Sequence, residues 1–336
     1  MLNSFRKRDE KTLTTSHTIS IVIPVFKGSQ TLEGLVSETI SVLSDRQSNS
    51  RELVLSEIIL VHDCGPDDSD QTMRLLARDY QVVRNVWLSR NFGQHAATLA
   101  GIASSRGEWI VTMDEDGQHD PRSIRAMLDS AIDSKADLVY AKPFHRAPHG
   151  FFRNATSHLT KRIVLPLLVG RDIDYFSSFR LILGESGRTL SAYANNDVFL
   201  DVALSWVVRK SVVQEVEFRR EGRDDSGYSS RMLMSHFLRL VVTAGTRPLR
   251  IVSLLGILSF VVGILSAVAM VVGKIAYEID VAGWASLVSI ILTVGGLIFL
   301  ILGVIAEYIG VLVRIAIGRP LYIISSDRRE GPLYRE

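Results

Sequence analysis

Short apolar runs alternate with segments of helical spacing or composition between residues 19 and 141 of this chain. The apolar runs are typical of strands buried on both faces, and they lie at residues 19–25, 57–61, 82–88, 109–113 and 137–141. The segments between them favour helices at residues 31–43, 69–77, 95–104 and 121–133. Strands that alternate with helices predict an α/β fold with an open, mostly parallel sheet.

The fourth predicted strand ends in an acidic sequence, Asp114-Glu-Asp-Gly-Gln118. Side chains alternate in extended backbone, so Asp114, Asp116 and Gln118 can point in the same direction. Three oxygen ligands suit a hard divalent cation such as Mg2+ or Mn2+, which takes its other ligands from substrate phosphates and water. Taken alone, such a sequence more often marks a solvated acidic turn.

Characteristic residues also lie at the ends of the other predicted strands. Pro24 and Val25 close the first strand, Asp63 follows the second, and residues 89–91 follow the third. Ligands of open parallel sheets bind beyond the carboxyl ends of the strands, so these positions favour one ligand site over independent turns. The sequence contains no glycine-rich dinucleotide loop, Walker loop or zinc spacing, which weighs against dehydrogenases, P-loop enzymes and zinc proteins.

The C-terminal part of the sequence has a different hydropathy pattern. Residues 251–272 and 281–306 contain no charge, and each run is long enough to cross a hydrocarbon core of about 30 Å. The short segment between them predicts a transmembrane hairpin. Arginines flank both outer ends, so the positive-inside rule predicts that both termini lie in the cytosol, at the plasma (inner) membrane.

Composition sets further limits. The formal net charge is +2, which gives no polyelectrolyte signal for nucleic acid. Cys64 is the single cysteine, so an internal disulfide is excluded and a reducing compartment is expected. Residues 1–16 are polar, and we expect no signal peptide there.

Two further segments, 150–170 and 229–250, mix basic and apolar residues. Either can be an interfacial amphipathic helix in the headgroup layer or an ordinary helix that covers the sheet, and the second precedes a predicted span directly. We therefore expect this order of parts: an N-terminal tail at 1–18, a catalytic domain at 19–228, a juxtamembrane helix at 229–250, a hairpin region at 251–309, and a cytosolic tail at 310–336.

The motifs of this chain, in their order, resemble those of the family 2 glycosyltransferases with the GT-A fold. The sequences that carry the resemblance are Ser20-Ile-Val-Ile-Pro-Val25, Glu57-Ile-Ile-Leu-Val-His-Asp63, Leu88-Ser-Arg-Asn-Phe-Gly-Gln-His95, Met113-Asp-Glu-Asp-Gly-Gln118 and Ser178-Phe-Arg-Leu181. Within the family, the chain looks like polyprenyl-phosphate glycosyltransferases: dolichyl-phosphate mannose synthases and the undecaprenyl-phosphate glucosyl- and formamido-arabinose transferases. Arg247-Pro-Leu-Arg250 and Glu307-Tyr-Ile-Gly310 are especially similar to the last branch.

This resemblance implies inverting transfer of a sugar from a nucleotide-diphosphate sugar, with a UDP-sugar expected, to undecaprenyl phosphate on the cytosolic face, which makes a lipid-linked sugar for the cell envelope. The residues implied for the nucleotide sugar are Pro24, Val25, Phe26, Asp63, Arg90, Asn91, Asp114 and Glu115. Those implied for the metal ion are Asp114, Asp116 and Gln118. Those implied for the acceptor phosphate are Arg146, Arg180, Arg220, Arg223 and Ser226.

For catalysis, Asp116 and Arg90 are the expected charged groups beside the leaving diphosphate. The nucleophile is a lipid phosphate with a second pKa near ~6, so it is already anionic and a strong base is dispensable. Ser178 replaces the aspartate found in most relatives, and Asp174 is a further candidate for a catalytic role. Phe26-Lys-Gly-Ser29 also replaces the usual Tyr-Asn-Glu-Glu.

Two other functions stay open: a hydroxyl-directed polysaccharide glycosyltransferase of the same fold, and a non-catalytic membrane protein that binds nucleotide sugars. A transporter is disfavoured because the predicted spans contain no ionisable residue. The small residues Gly295, Gly296 and Gly303 predict that copies of the chain pack together as a homo-oligomer.

Overall fold

The computed structural model describes residues 15–44, 51–144, 176–194, 200–219, 283–316 and 320–327, together with four single positions between 261 and 272. All nine elements predicted for the first half are present in the predicted order. They are β1 (Thr15–Val25), α1 (Leu32–Ser44), β2 (Arg51–His62), α2 (Ser69–Asp79), β3 (Val83–Leu88), α3 (Gln94–Ser104), β4 (Trp109–Thr112), α4 (Ser123–Ser134) and β5 (Leu138–Pro143). The predicted α/β class is confirmed.

Strand β2 begins at Arg51, earlier than the apolar run that starts near Glu57. Its first residues pair in parallel with the start of β1, from Thr15↔Arg51 to Ile19↔Leu55, before a register shift at Ser20. This part of the strand is only partly buried, so no continuous apolar run marks it.

The later elements are β6 (Arg180–Leu183), α5 (Gly184–Tyr193), α6 (Leu200–Val207), β7 (Ser211–Val216), α7 (Trp284–Ala316) and β8 (Ile324–Ser325). Helix α7 contains most of the apolar run at 281–306 that was expected to be helical, whereas the other five elements were not predicted from the sequence. Strands β6, β7 and β8 are only 4, 6 and 2 residues long, so an alternation of apolar and polar residues is hard to recognise in their sequences.

The eight strands form one sheet in the order β7-β5-β6-β4-β1-β2-β3-β8. Strands β1 to β4 run in parallel, whereas β6 is antiparallel to both of its neighbours and β8 is antiparallel to β3. The carboxyl ends of β1, β2, β3 and β4 therefore meet at one edge of the sheet, which is where an open sheet of this type binds ligands.

Helices cover both faces of the sheet. In β1, Ile21 and Ile23 face one apolar cluster, together with residues of α1, α2 and α4, while Val22 faces a second cluster with residues of α3, α5 and α6. Helix α3 lies very close to the sheet at Gly101, where a Cβ atom would come within 2.3 Å of Val22 Cγ1. The small residues of α3 thus allow the close approach that fixes its N-terminus beside the strand ends.

Within the part of the chain that the structure describes, no helix is identified as long and apolar enough to cross a membrane. Segments 150–170 and 229–250 lie outside the described residues, as does 251–272 apart from the four single positions. Helix α7 includes most of the second expected span. The transmembrane hairpin therefore stays a prediction.

An ion pair is strongly buried in the described part of the interior. Arg180 Nη1 donates to Asp201 Oδ1 at 2.6 Å, and Tyr140 OH donates to the same oxygen at 3.0 Å. The two charged side chains are 4% and 5% exposed. Burial raises the pKa of Asp201, and the positive charge of Arg180 lowers it in part.

Replacement of Asp201 by alanine should destabilise the domain by on the order of 3–5 kcal/mol, because it leaves the Arg180 charge buried without its partner. Unfolding of the full chain in detergent, followed by heat or denaturant, measures this loss. The matched control is Glu215→Ala, which breaks the exposed pair with Lys142 and should cost much less. Equal losses in the two variants would contradict a structural role for the buried pair.

Candidate active site

The Asp114 carboxylate joins segments from three parts of the sheet edge. Gln94 Nε2, at the start of α3, donates to Oδ1 at 2.6 Å, and Ser178 Oγ, just before β6, donates to Oδ2 at 2.5 Å. Thr112 Oγ1 holds the Ser178 segment by donating to its carbonyl oxygen at 2.6 Å. Both hydrogen bonds to the carboxylate come from neutral donors, and its oxygens have further lone pairs that can face a cation.

Asp116 and Gln118 lie in a tight turn after β4. The Gln118 N–H donates to Asp116 Oδ1 at 3.0 Å, and Gly117 adopts a φ of +77°, a conformation that glycine reaches at little cost. Hard oxygen donors from Asp114 and Asp116 fit Mg2+ or Mn2+ well. The described residues contain no cluster of three or more His, Cys, Asp or Glu side chains placed for a metal.

His119 lies buried directly after this turn. Its ring stacks on Phe179 with centroids 4.8 Å apart and meets Phe218 edge-on at 5.1 Å. Its Nδ1 accepts the Asp114 N–H at 3.0 Å, so the network assigns the ring proton to Nε2, 3.8 Å from Asp114 Oδ2. Burial lowers the pKa of His119 and outweighs the opposite effect of Asp114 and Asp116. A neutral His119 therefore supports the acidic turn from inside.

Residues 218–219 hold the same turn from the other side. The Arg219 N–H donates to the Gln118 carbonyl at 2.9 Å, and the Arg219 guanidinium binds both oxygens of Glu38 at 2.6 and 2.7 Å. The Glu38 hydrogen bonds raise the pKa of Arg219. This arrangement links α1 to the acidic turn.

Glu115 forms hydrogen bonds to other parts of the protein. Its carboxylate accepts the N–H groups of Phe26 and Lys27, both at 2.9 Å, and its carbonyl accepts the Thr31 hydroxyl at 2.6 Å. Gly28 makes room for it, since a Cβ atom there would lie 2.8 Å from Glu115 Oε2. Glu115 thus ties the acidic turn to the loop after β1.

Asp63 has a similar role in the loop after β3. Its buried carboxylate accepts the N–H groups of Phe92 at 2.7 Å and Gly93 at 2.8 Å. Burial raises the pKa of Asp63, and these two hydrogen bonds lower it in part. The loop that they shape exposes Arg90 and Asn91, with the Arg90 guanidinium 4.5 Å from the centre of the Phe92 ring.

Other expected site residues take different positions. Pro24 and Val25 are buried in β1, whereas Phe26 is 38% exposed. Arg180 was expected at the acceptor phosphate, but its guanidinium lies in the interior and its charge is matched by Asp201. Five expected residues lie outside the described part of the chain: Arg146, Asp174, Arg220, Arg223 and Ser226.

The sequence did not indicate that Gln94 and His119 form hydrogen bonds to Asp114. Both lie inside or directly beside motifs that the sequence does show, at the ends of residues 88–95 and 113–118. Adjacency to the acidic sequence was the available signal. Their contacts to Asp114 depend on the fold.

The model of the family described as Glycosyl transferase family 2 matches residues 20–213, which include all of these strand-end loops up to β6. The chain belongs to glycosyl transferase family 2.

This family 2 glycosyltransferase has relatives that align over nearly its whole length. It is 29% identical to an uncharacterised glycosyltransferase, YkcC, of Bacillus subtilis, over 92% of this chain and 93% of that protein. It is 28% identical to the undecaprenyl-phosphate 4-deoxy-4-formamido-L-arabinose transferase of Pseudomonas fluorescens, over 94% and 91%. A prophage-derived bactoprenol glucosyl transferase of Shigella flexneri is 25% identical, over 94% and 99%.

Among solved structures, the chain is similar to glucosyl-3-phosphoglycerate synthase from Mycobacterium tuberculosis. The TM-score is 0.45 at 18% identity, with 69% of this chain and 80% of that chain covered.

Glu115→Ala should increase amide hydrogen exchange at Phe26 and Lys27 by roughly tenfold, because these N–H groups lose their carboxylate acceptor. Gly28→Ala should have the same effect, since its methyl group displaces that carboxylate. Exchange measured residue by residue by mass spectrometry tests both variants. Glu33→Ala, at an exposed position of α1, is the control. Unchanged exchange in Glu115→Ala would show that the carboxylate does not hold the loop.

Proposed function

We propose that this glycosyltransferase moves a sugar from a nucleotide-diphosphate sugar, a UDP-sugar in the first instance, to a polyprenyl phosphate such as undecaprenyl phosphate. The observation that carries the proposal is the Asp114–Asp116 turn at the strand ends of a family 2 domain. Near full-length relatives named as undecaprenyl-phosphate and bactoprenol transferases support the choice of acceptor.

The donor diphosphate binds beside the acidic turn in this proposal. Asp114, Asp116 and Gln118 would hold Mg2+ or Mn2+, and the ion would supply charge neutralisation for the leaving nucleoside diphosphate. Arg90 lies on an exposed loop and supplies a second positive charge. The loop of Phe26 and Lys27, held by Glu115, faces the nucleoside.

The acceptor needs little help from a base. A phosphate monoester has a second pKa near ~6, so its oxygen is already anionic at neutral pH. The Ser178 hydroxyl donates a hydrogen bond to Asp114, which makes Ser178 a positioning residue for the carboxylate proposed to bind the metal rather than a base. One direct displacement by the phosphate oxygen breaks the sugar–diphosphate bond and inverts the anomeric centre.

The lipid acceptor requires the enzyme to lie at a membrane. The uncharged run at 281–306 supports a membrane-spanning role for α7, and the exposed side chains of Ile291 and Leu302 provide apolar surface for lipid. With 251–272 it forms the proposed hairpin, and both termini lie on the cytosolic face. Among the described residues, no atom outside the adjacent helix backbone lies within 4 Å of a Cβ position at Gly295, Gly296 or Gly303, so this part of α7 offers room for close packing with another copy.

The test is transfer of label into lipid by the purified full-length enzyme. We expect at least one nucleotide sugar, from a screen that includes UDP-[14C]glucose, to label undecaprenyl phosphate in the presence of Mg2+ or Mn2+. Asp116→Ala should lower the rate by at least roughly 100-fold, because charge on the leaving diphosphate is no longer balanced.

Asp133→Asn, at an exposed position of α4, is the control and should retain full activity. If no donor labels the lipid fraction, the proposed acceptor is wrong. Full activity of Asp116→Ala would refute the metal assignment.

A further inference from the structure

The described residues near the C-terminus pair with β3, the strand that leads into the Arg90 loop of the candidate site. Residues 320–327, which we term the C-terminal strap, include β8, whose Ile324 and Ser325 pair with Leu88 and Trp87 of β3 in antiparallel register. The Ile323 carbonyl accepts the Ser89 N–H at 2.9 Å, one residue beyond the end of β3. The family match ends at residue 213, so the strap lies outside the part of the chain that it covers.

An ion pair fixes the end of the strap. Asp327 Oδ2 accepts Arg74 Nε at 2.5 Å and Asp327 Oδ1 accepts Arg74 Nη2 at 2.8 Å, a two-point contact between residues far apart in sequence. Asp327 is only 6% exposed, and the Arg74 guanidinium lies 5.0 Å from the centre of the Trp87 ring. The hydrogen bond to Asp327 raises the pKa of Arg74. Arg74 also pairs with Asp70 on its own helix, but the partly buried, bidentate contact with Asp327 specifies one position of the strap along β3.

Apolar contacts fix the beginning of the strap. Leu321 and Tyr322 pack against the apolar cluster of the second sheet face, which includes Leu88 and is also contacted by Phe92. The strap is therefore held at both ends, by packing at 321–322 and by the ion pair at Asp327. Its middle forms the hydrogen bonds to β3 and Ser89.

The loop at residues 89–93 is consequently held from two directions. Asp63 accepts the N–H groups of Phe92 and Gly93 at the end of the loop, and the strap accepts the N–H of Ser89 at its beginning. Arg90 and Asn91 lie between these two attachments and are exposed. Because both ends of this short loop are fixed, the positively charged Arg90 between them is held in one place.

We propose that the C-terminal strap positions the Arg90 loop for the donor diphosphate, so that Asp327 and Arg74 are positioning residues for donor binding. This inference rests on the proposed function of the same loop. Pro320 follows the end of α7 at Ala316 after three residues, so the strap also connects the donor loop to that helix along the chain. Without the strap, the loop at residues 89–93 is held less firmly, although every group that touches the reacting atoms is still present.

The experiment compares Asp327→Ala and Arg74→Ala with the wild-type full chain in detergent. Arg78→Ala is the matched control, because Arg78 lies one turn further along α2 and forms an exposed pair with Asp79, with side chains 71% and 53% exposed. Two readouts are needed: hydrogen exchange of the amides of residues 89–93, and the equilibrium affinity for UDP in the presence of Mn2+.

We expect about tenfold faster exchange at Ser89 and roughly fivefold weaker UDP binding in both strap variants, with neither change in Arg78→Ala. In turnover, the donor KM should rise while kcat and the acceptor KM stay within about twofold, because the loop binds donor and does not perform the displacement.

Unchanged exchange at Ser89, or unchanged UDP affinity, in Asp327→Ala overturns the proposal. Equally faster exchange of all amides reports general destabilisation and overturns it as well. Failure of the proposed function has a different signature: wild-type enzyme that binds UDP but labels no lipid contradicts the acceptor, while the exchange and UDP readouts still decide the role of the strap.

Discussion

The structure of the candidate site depends on the position of one carboxylate, that of Asp114. Its two oxygens accept hydrogen bonds from Gln94 and Ser178, and its backbone N–H donates to His119. These partners come from the start of α3, from the segment before β6, and from the acidic turn itself. The carboxylate is thereby oriented by the scaffold, and a bound cation does not have to reorganise it.

Residues 114–116 are three consecutive acidic residues whose like charges repel one another. The structure directs each of their carboxylates to different hydrogen-bond partners. Glu115 turns to the N–H groups of Phe26 and Lys27, while Asp114 and Asp116 remain at the turn. Asp63 shows the same use of an acidic residue, because its carboxylate holds the loop of Arg90. Acidic residues at these strand ends thus either remain at the turn proposed for the cation or hold a neighbouring loop, and their sequence motif alone does not distinguish the two.

The sequence predicted the parallel core well because its strands are continuous apolar runs and its site motifs follow their ends. The contact between Ser178 and Asp114 could not be predicted, since it is made by a reversed four-residue strand, β6, that brings together residues 64 positions apart. Arg180 was assigned to the acceptor from its motif, yet burial requires a partner, and Asp201 on α6 supplies it. The role of Glu115 likewise depends on the space left by Gly28, a tertiary property.

The affinity for Mn2+ in the presence of UDP, measured by electron paramagnetic resonance on the full chain in detergent, tests the role of Asp114 most directly. If Ser178 orients Asp114 for the cation, Ser178→Ala should weaken Mn2+ binding by roughly tenfold, as expected for loss of a group that holds a metal ligand. Ser177→Ala, which alters the adjacent hydroxyl bound by the Phe179 N–H, should leave the affinity unchanged. Equal Mn2+ affinity in wild type and Ser178→Ala, or no increase in affinity on addition of UDP, would contradict a cation site at Asp114 that is oriented by Ser178.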